Sequence, residues 1–271
     1  MPMTSYPLDN GIFAALPVAE QSRLLPHLER VELAPGKVLC EPGDKLGHVY
    51  FPTSAIVSMV YVMGNGASVE IALVGSEGVI GMALLMGAGS TPNHALVQSG
   101  GEAFRLKSHY MIEEFDRGGP TLRLLLRYMQ ALLAQTSQTA ACNRHHTLEQ
   151  QLCRWLLLTL DRLPSRQIIV TQELIANLLG VRREGVTAAA RRLQLAGLIQ
   201  YRRGRIFVLD RCGLERRSCE CYAVVKNEYD RLLPTTAEPS RYFPLPLEVR
   251  PIAPAPQVFG LDCESAVRKI A

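Results

Sequence analysis

Ten arginines, no lysine and four acids fall between residues 171 and 217. That segment carries a net +6, while the whole chain carries only +4 and the remainder −2. A positive field confined in this way attracts phosphates. The guanidinium fork can also take guanine O6 and N7 together. The chemistry on offer is recognition of nucleic acid, not bond making. Two short helical patterns on either side of a glycine place these arginines, in TQELIANLLGVRREGVTAAARR at 171–192. Leu174, Ile175, Leu178 and Leu179 share one apolar face of the first helix. Thr171 is its expected cap, because a hydroxyl can accept from an unpaired helix N–H. Gly180 stands where the chain must turn, a position that favours φ > 0. The second helix resumes by about Arg183, with Val186, Ala189, Ala190 and Leu193 inward and Arg182, Arg183, Glu184, Thr187, Arg191 and Arg192 outward. Two helices on a tight glycine turn form a helix-turn-helix, whose second helix enters the DNA major groove.

The spacing of Ala176, Gly180 and Val186 resembles the bacterial helix-turn-helix signature of a small residue, a turn glycine and a β-branched residue. Downstream, LIQYRRGRIFVLD at 198–210 predicts a hairpin with strands Leu198–Tyr201 and Arg205–Leu209 and Arg202-Arg203-Gly204 at its tip. A basic hairpin after a recognition helix is a wing, its tip arginines lying against phosphates.

The elements that must carry this device follow from the changing pattern along the chain. Residues 8–30 look helical, and residues 31–107 hold short β-rich runs separated by glycine-bearing turns, which suggests a sandwich, jelly-roll or barrel. After Pro120 a breaker-free run places Leu122, Leu125, Leu126, Met129, Leu132 and Leu133 in one apolar stripe, either core or a dimer seam. Thr147–Gln150 reads as a capping box opening a further helix, whose Trp155 belongs to the core. Seven prolines from Pro234 onward mark a tail without periodicity. The expected organisation is α+β: a sensor domain at 1–119, a dimerisation helix at 120–144, a winged helix-turn-helix domain at 145–232 and a disordered tail at 233–271.

No run of 18 apolar residues is present, so no transmembrane helix is expected, and the N-terminus lacks the basic-then-apolar pattern of a secretory signal. The cytoplasm is the expected compartment. Seven scattered cysteines argue against a disulfide framework. No P-loop, G-x-S-x-G elbow, H-E-x-x-H or dense carboxylate pair occurs, so an enzyme is not expected.

In this order the segments resemble the Crp/Fnr family of bacterial transcription regulators. The resemblance rests on EPGDKLGHVYFPTSAIVSMV (41–60), VEIALVGSEGVIGMALLMG (69–87), LEQQLCRWLLLTLDRL (148–163) and TQELIANLLGVRREGVT (171–187), and spans about residues 10–225. It implies an N-terminal β-roll like a cyclic-nucleotide-binding domain, a long dimerisation helix and a C-terminal winged helix. It further implies an effector pocket at Gly75, Gly78, Gly81, Met82, Asn93 and His94. Met82 stands where members that bind cyclic AMP have a ribose-holding glutamate, and Asn93-His94 where they have a cationic pair. A buried phosphate needs a cation, so cyclic AMP is not the expected ligand, and no cofactor or metal is expected. The oxygen-sensing branch holds an iron–sulfur centre on an N-terminal cysteine cluster, and the first 39 residues here contain no cysteine. Cys212, Cys219 and Cys221, the one close group, read as incidental, and His145-His146 as lying near a helix junction.

For DNA, the resemblance implies that Arg183 takes a guanine and Glu184 a cytosine amino group, with Ala188 at the third base-reading position. Gln172, Thr187, Arg191 and Arg192 are phosphate candidates, with Arg203 and Arg205 on the wing, while Arg182 replaces the usual small polar cap. The implied partners are double-stranded DNA with inverted half-sites, a second copy of the chain, and RNA polymerase. A competing reading is a ligand-sensing or protein-interaction module whose winged helix docks protein.

Overall fold

The computed structural model describes residues 5–163 and 166–233. Proline and glycine break the N-terminal helical pattern into short turns: α1 (Gly11–Ala14), α2 (Val18–Leu24) and single 3₁₀ turns at Pro7–Asp9 and Leu25–His27. Asn10 fastens this segment to the roll. Its Oδ1 accepts from the Phe13 N–H at 3.0 Å, and its Nδ2 donates to the carbonyls of Pro52 and Gly78 at 2.9 and 2.8 Å.

The β-rich region forms β1 (Glu29–Leu33), β2 (Val38–Cys40), β3 (His48–Pro52), β4 (Ile56–Val62), β5 (Ser68–Val74), the short α3 (Met82–Leu85), β6 (His94–Ser99) and β7 (Gly101–Lys107). Two antiparallel sheets result, in the orders β1-β7-β3 and β2-β6-β4-β5. Period-two side chains fill the space between them with Leu33, Val57, Val74, Val97 and Ala103. This is the β-roll that the family resemblance implied.

Helix α4 (Ser108–Asp116) leads into the long α5 (Gly119–His145), 27 residues and about 40 Å of helix. The expected leucine stripe divides in two. Leu124, Leu125, Tyr128 and Ala131 pack inward, and Gln135 donates to the Leu73 carbonyl at 3.1 Å. Leu126 and Leu133 point to solvent at 47% and 60% exposure, with Met129 partly exposed between them. Of the two readings left open for this stripe, Leu125 takes the core one.

Helix α6 (Leu148–Leu160) opens on the expected capping box: Thr147 Oγ1 accepts from the Gln150 N–H, and the Gln150 side chain accepts from the Thr147 N–H. Trp155 on this helix is fully buried. Then follow β8 (Gln167–Ile169), α7 (Gln172–Leu179), α8 (Arg183–Leu195), β9 (Ile199–Arg202), β10 (Arg205–Val208), α9 (Arg211–Arg217) and α10 (Glu220–Leu232), with a small sheet ordered β8-β10-β9. α10 packs back along α5. All but the first residue of the tail expected at 233–271 lies outside the described residues. Among the described residues no helix is long and apolar enough to cross a membrane.

Candidate nucleic-acid interface

Thr171 Oγ1 accepts from the Leu174 N–H at 3.1 Å and starts α7 as expected. Gly180 ends it at φ +66°, a left-handed backbone that a β-carbon would strain. α8 begins at Arg183, and Val186, Ala189, Ala190 and Leu193 are buried against Ile175, Ala176, Leu178 and Leu179. That packing turns Arg182, Arg183, Glu184, Thr187, Ala188 and Arg191 outward. A depression on this face is lined by Glu184, Thr187, Ala188, Arg191, Arg192 and Leu195. Arg182 occupies the cap position of α8 without a side-chain cap bond, so the positive end of the helix lies beside the exposed Arg182 and Arg183.

The predicted contacts separate by their partners. Thr187 Oγ1 donates to Gln172 Oε1 at 2.7 Å, which holds these two phosphate candidates side by side. Arg192 is engaged elsewhere, its Nε donating to Glu149 Oε2 at 2.6 Å while Arg217 reaches the other oxygen at 3.0 Å. Hydrogen bonds from Arg192 first, and from Arg217, hold the Glu149 carboxyl below the usual range. Among the described residues Arg182, Arg183, Arg191, Arg203 and Arg205 form no ion pair.

The wing is a two-residue hairpin, because Arg202 pairs directly with Arg205. Arg203 and Gly204 both have positive φ, +50° and +72°, the geometry of a type I′ turn. Gly204 suits it; Arg203 holds a conformation that β-carbon-bearing side chains rarely adopt. Tyr201 anchors the hairpin by donating to the Val170 carbonyl at 2.9 Å, and burial pushes its hydroxyl up to about 12.

The expected effector loop packs against later segments of the same chain. A β-carbon at Gly78 would lie 2.5 Å from Tyr128 Oη, and one at Gly75 would lie 2.9 Å from the Arg162 side chain. These two glycines admit α5 and the turn that follows α6. Tyr128 donates to the Val79 carbonyl at 3.1 Å, and Arg162 binds Glu77 at 2.7 Å. Burial opposes the Arg162 charge, but Glu77 beside it raises the guanidinium pKa overall. Gly81 and Met82 begin α3, with Met82 buried. His94 Nδ1 lies 2.7 Å from Glu41 Oε2, while Asn93 Oδ1 is buried without a hydrogen-bond partner among the described residues.

The cysteine grouping read along the chain is rearranged by the fold. Cys212 is exposed, whereas Cys219 and Cys221 meet Cys142 and His146. Only the C-x-C of 219–221 and the C-x-x-x-H of 142–146 hinted at this, and nothing in the sequence joined the two.

Residues 30–117 match the model of the cyclic nucleotide-binding domain, and residues 150–217 match that of the Crp-like helix-turn-helix domain. No curated protein sequence matches the chain significantly. Among solved structures, a protein from Eubacterium rectale described as a transcriptional regulator of the Crp/Fnr family superposes with a TM-score of 0.62 at 16% identity, covering 78% of this chain and 97% of that one. FixK2 of Bradyrhizobium japonicum superposes with a TM-score of 0.58 at 14% identity, covering 71% and 98%. CLP of Xanthomonas campestris, described as a c-di-GMP-responsive global regulator, does so with a TM-score of 0.56 at 19% identity, covering 72% and 100%.

Proposed function

Because this chain belongs to the Crp/Fnr family of transcription regulators, joining a cyclic nucleotide-binding domain to a Crp-like helix-turn-helix, we propose that it is a homodimeric, sequence-specific DNA-binding regulator that works without cyclic AMP. The observation that carries this reading is the outer face of α8. Arg182, Arg183 and Arg191 are exposed there without carboxylate partners among the described residues, beside a wing tip bearing Arg203 and Arg205. A face meant for protein docking would bury apolar area; this one presents cations at the open N-terminus of a helix, as phosphates and guanine edges require.

Leu122, Leu126, Met129 and Leu133 support the dimer. They recur at alternating steps of four and three along α5, and the inward face of that helix is already filled by other residues. His94 supports independence from cyclic AMP, since it faces the Glu41 carboxylate where a cyclic phosphate would need a cation.

The test is selection from a random duplex library by the full-length protein. Selected sites should contain two inverted half-sites with centres about 34 Å apart, one helical turn. Recovery of no common sequence, or of a single unpaired site, overturns the reading.

A further inference from the structure

Where α5 ends and α10 begins, four ligand-bearing side chains converge. Cys142 lies in the last turn of α5 and His146 is its C-cap, four residues on and therefore on the same face. Cys219 is the N-cap of α10, and Cys221 lies in its first turn. Cys142 Sγ stands 3.6 Å from Cys219 Sγ, and Cys221 Sγ stands 3.4 Å from His146 Nδ1. All four ligand atoms lie within 4.8 Å of one another, and the three cysteines are buried. A disulfide would bring its sulfurs to about 2.05 Å. A tetrahedral zinc, with bonds of about 2.3 Å to sulfur and 2.0–2.1 Å to nitrogen, sets its ligands about 3.8 Å apart between sulfurs and about 3.5 Å between sulfur and nitrogen. The separations of 3.6 and 3.4 Å match that spacing.

The surroundings are those of a metal centre. His146 turns Nδ1 to the cluster and Nε2 to Glu220 Oε2 at 3.3 Å, the carboxylate–imidazole relay that orients metal-bound histidines. Gln138 Nε2 donates to Cys221 Sγ at 3.0 Å, as an N–H does to a metal-bound thiolate. Cys219 and Cys221 both sit at the positive end of α10, which favours thiolates. Buried Arg154, bound to Thr139 one turn before Cys142, supplies positive charge against the single negative charge that three thiolates leave on a divalent ion.

We propose that Cys142, His146, Cys219 and Cys221 form a closed Cys₃His site for one zinc ion, which staples the last helix of the DNA-binding domain to the end of α5. On binding, the three thiols release their protons to solvent and the protein fills all four tetrahedral positions, leaving none for a substrate. Soft sulfur ligands at this spacing select zinc over magnesium or calcium, and the separations are too short for thiolates spread over an iron–sulfur cluster.

The experiment uses the full-length protein purified under reducing conditions. Elemental analysis should give one zinc per chain. Replacing zinc by Co²⁺ should produce the intense visible bands of a tetrahedral site with thiolate-to-cobalt charge transfer. Cys142→Ser and Cys221→Ser should hold less than about a tenth of the wild-type zinc, Cys212→Ser should hold all of it, and Glu220→Ala should keep the stoichiometry with zinc released about 10–100-fold more readily. The Co²⁺ spectrum needs no variant, so a misfolded serine variant leaves the test intact. The proposal is overturned by a reduced wild-type protein that takes up neither zinc nor Co²⁺ into thiolate coordination, by a Cys142–Cys219 disulfide as the isolated state, or by iron and sulfide in place of zinc.

Discussion

Arg192 of α8 is bonded to Glu149 of α6 at 2.6 Å, while Arg191 beside it meets no carboxylate among the described residues. One arginine closes the packing of two helices and its neighbour is left for a partner. Arg191→Ala should therefore weaken binding to every duplex and lower the salt slope by about one ion per protomer. Arg192→Ala should change affinity less and cost at most about 1 kcal/mol of stability, since the pair is half-exposed. Titration of each variant at several salt concentrations, with urea unfolding alongside, separates the two. Equal salt slopes for both variants would count against the division of labour.

Arg183 and Arg203 should differ in kind. Arg183→Ala at the start of α8 should cost roughly 1–3 kcal/mol on the cognate site and relax preference at one base pair. Arg203→Ala should weaken all sequences alike. Arg203→Asn should do the same while raising Tm, because asparagine tolerates the positive φ of +50° better than arginine. Binding to single-base-variant duplexes checks the first claim, and a thermal melt checks the last.

Leu126→Glu with Leu133→Glu should yield folded monomers, since both side chains are exposed in a single chain and a dimer would remove their apolar surface from water at about 25 cal/mol per Å². Leu125→Glu should instead unfold the protein, because that side chain is fully buried in its own core. Analytical ultracentrifugation and circular dichroism distinguish these outcomes. A wild type sedimenting as a stable monomer at micromolar concentration would refute the seam.

Cyclic AMP should show no binding by calorimetry at physiological levels. Glu41→Gln with Asn93→Arg, which removes the carboxylate facing His94 and adds a cation beside it, should improve binding of anionic ligands beside His94. Micromolar affinity in the wild type would contradict the reading.

Glu70 lies on β5 beneath α6, and burial pushes its carboxyl up to about 7 against a hydrogen bond from Ser58 at 2.6 Å and the opposing pull of Arg154 and Arg162. A carboxyl raised in the folded state contributes stability that is fully present below about pH 4.5 and lost as pH rises through about 7. Glu70→Gln should flatten this dependence and stabilise the protein at pH 8 by up to about 3 kcal/mol. Urea midpoints at pH 5 and pH 8 measure it.

The helix-turn-helix could be read from the chain because its signals are local: a cap at Thr171, a left-handed glycine at Gly180 and a period-3.6 face all fall within 23 residues. The long helix was legible as a helix but not in its orientation. Its apolar residues serve two faces, one toward the roll and one toward solvent, and periodicity alone cannot assign Leu125 inward and Leu126 outward. Arg192 looked like its exposed neighbours because its partner Glu149 lies 43 residues away. The cysteine–histidine cluster was hidden for the same reason, its halves separated by 77 residues. The glycines at 75 and 78 have the spacing of a ligand loop, and their packing against Tyr128 of α5 and Arg162 just beyond α6 could not be read from the sequence, because those partners lie 50 or more residues away.

Gly78 and Tyr128 thereby form a lock and its key, shared between the β-roll and α5. Neither can be exchanged alone: any larger residue at 78 collides with the phenol, and a smaller residue at 128 leaves a hole beneath the loop. A chimera that transplants the roll of another regulator onto this helix must carry residue 128 with the loop. Such grafts should succeed or fail by that one pairing before any ligand is considered.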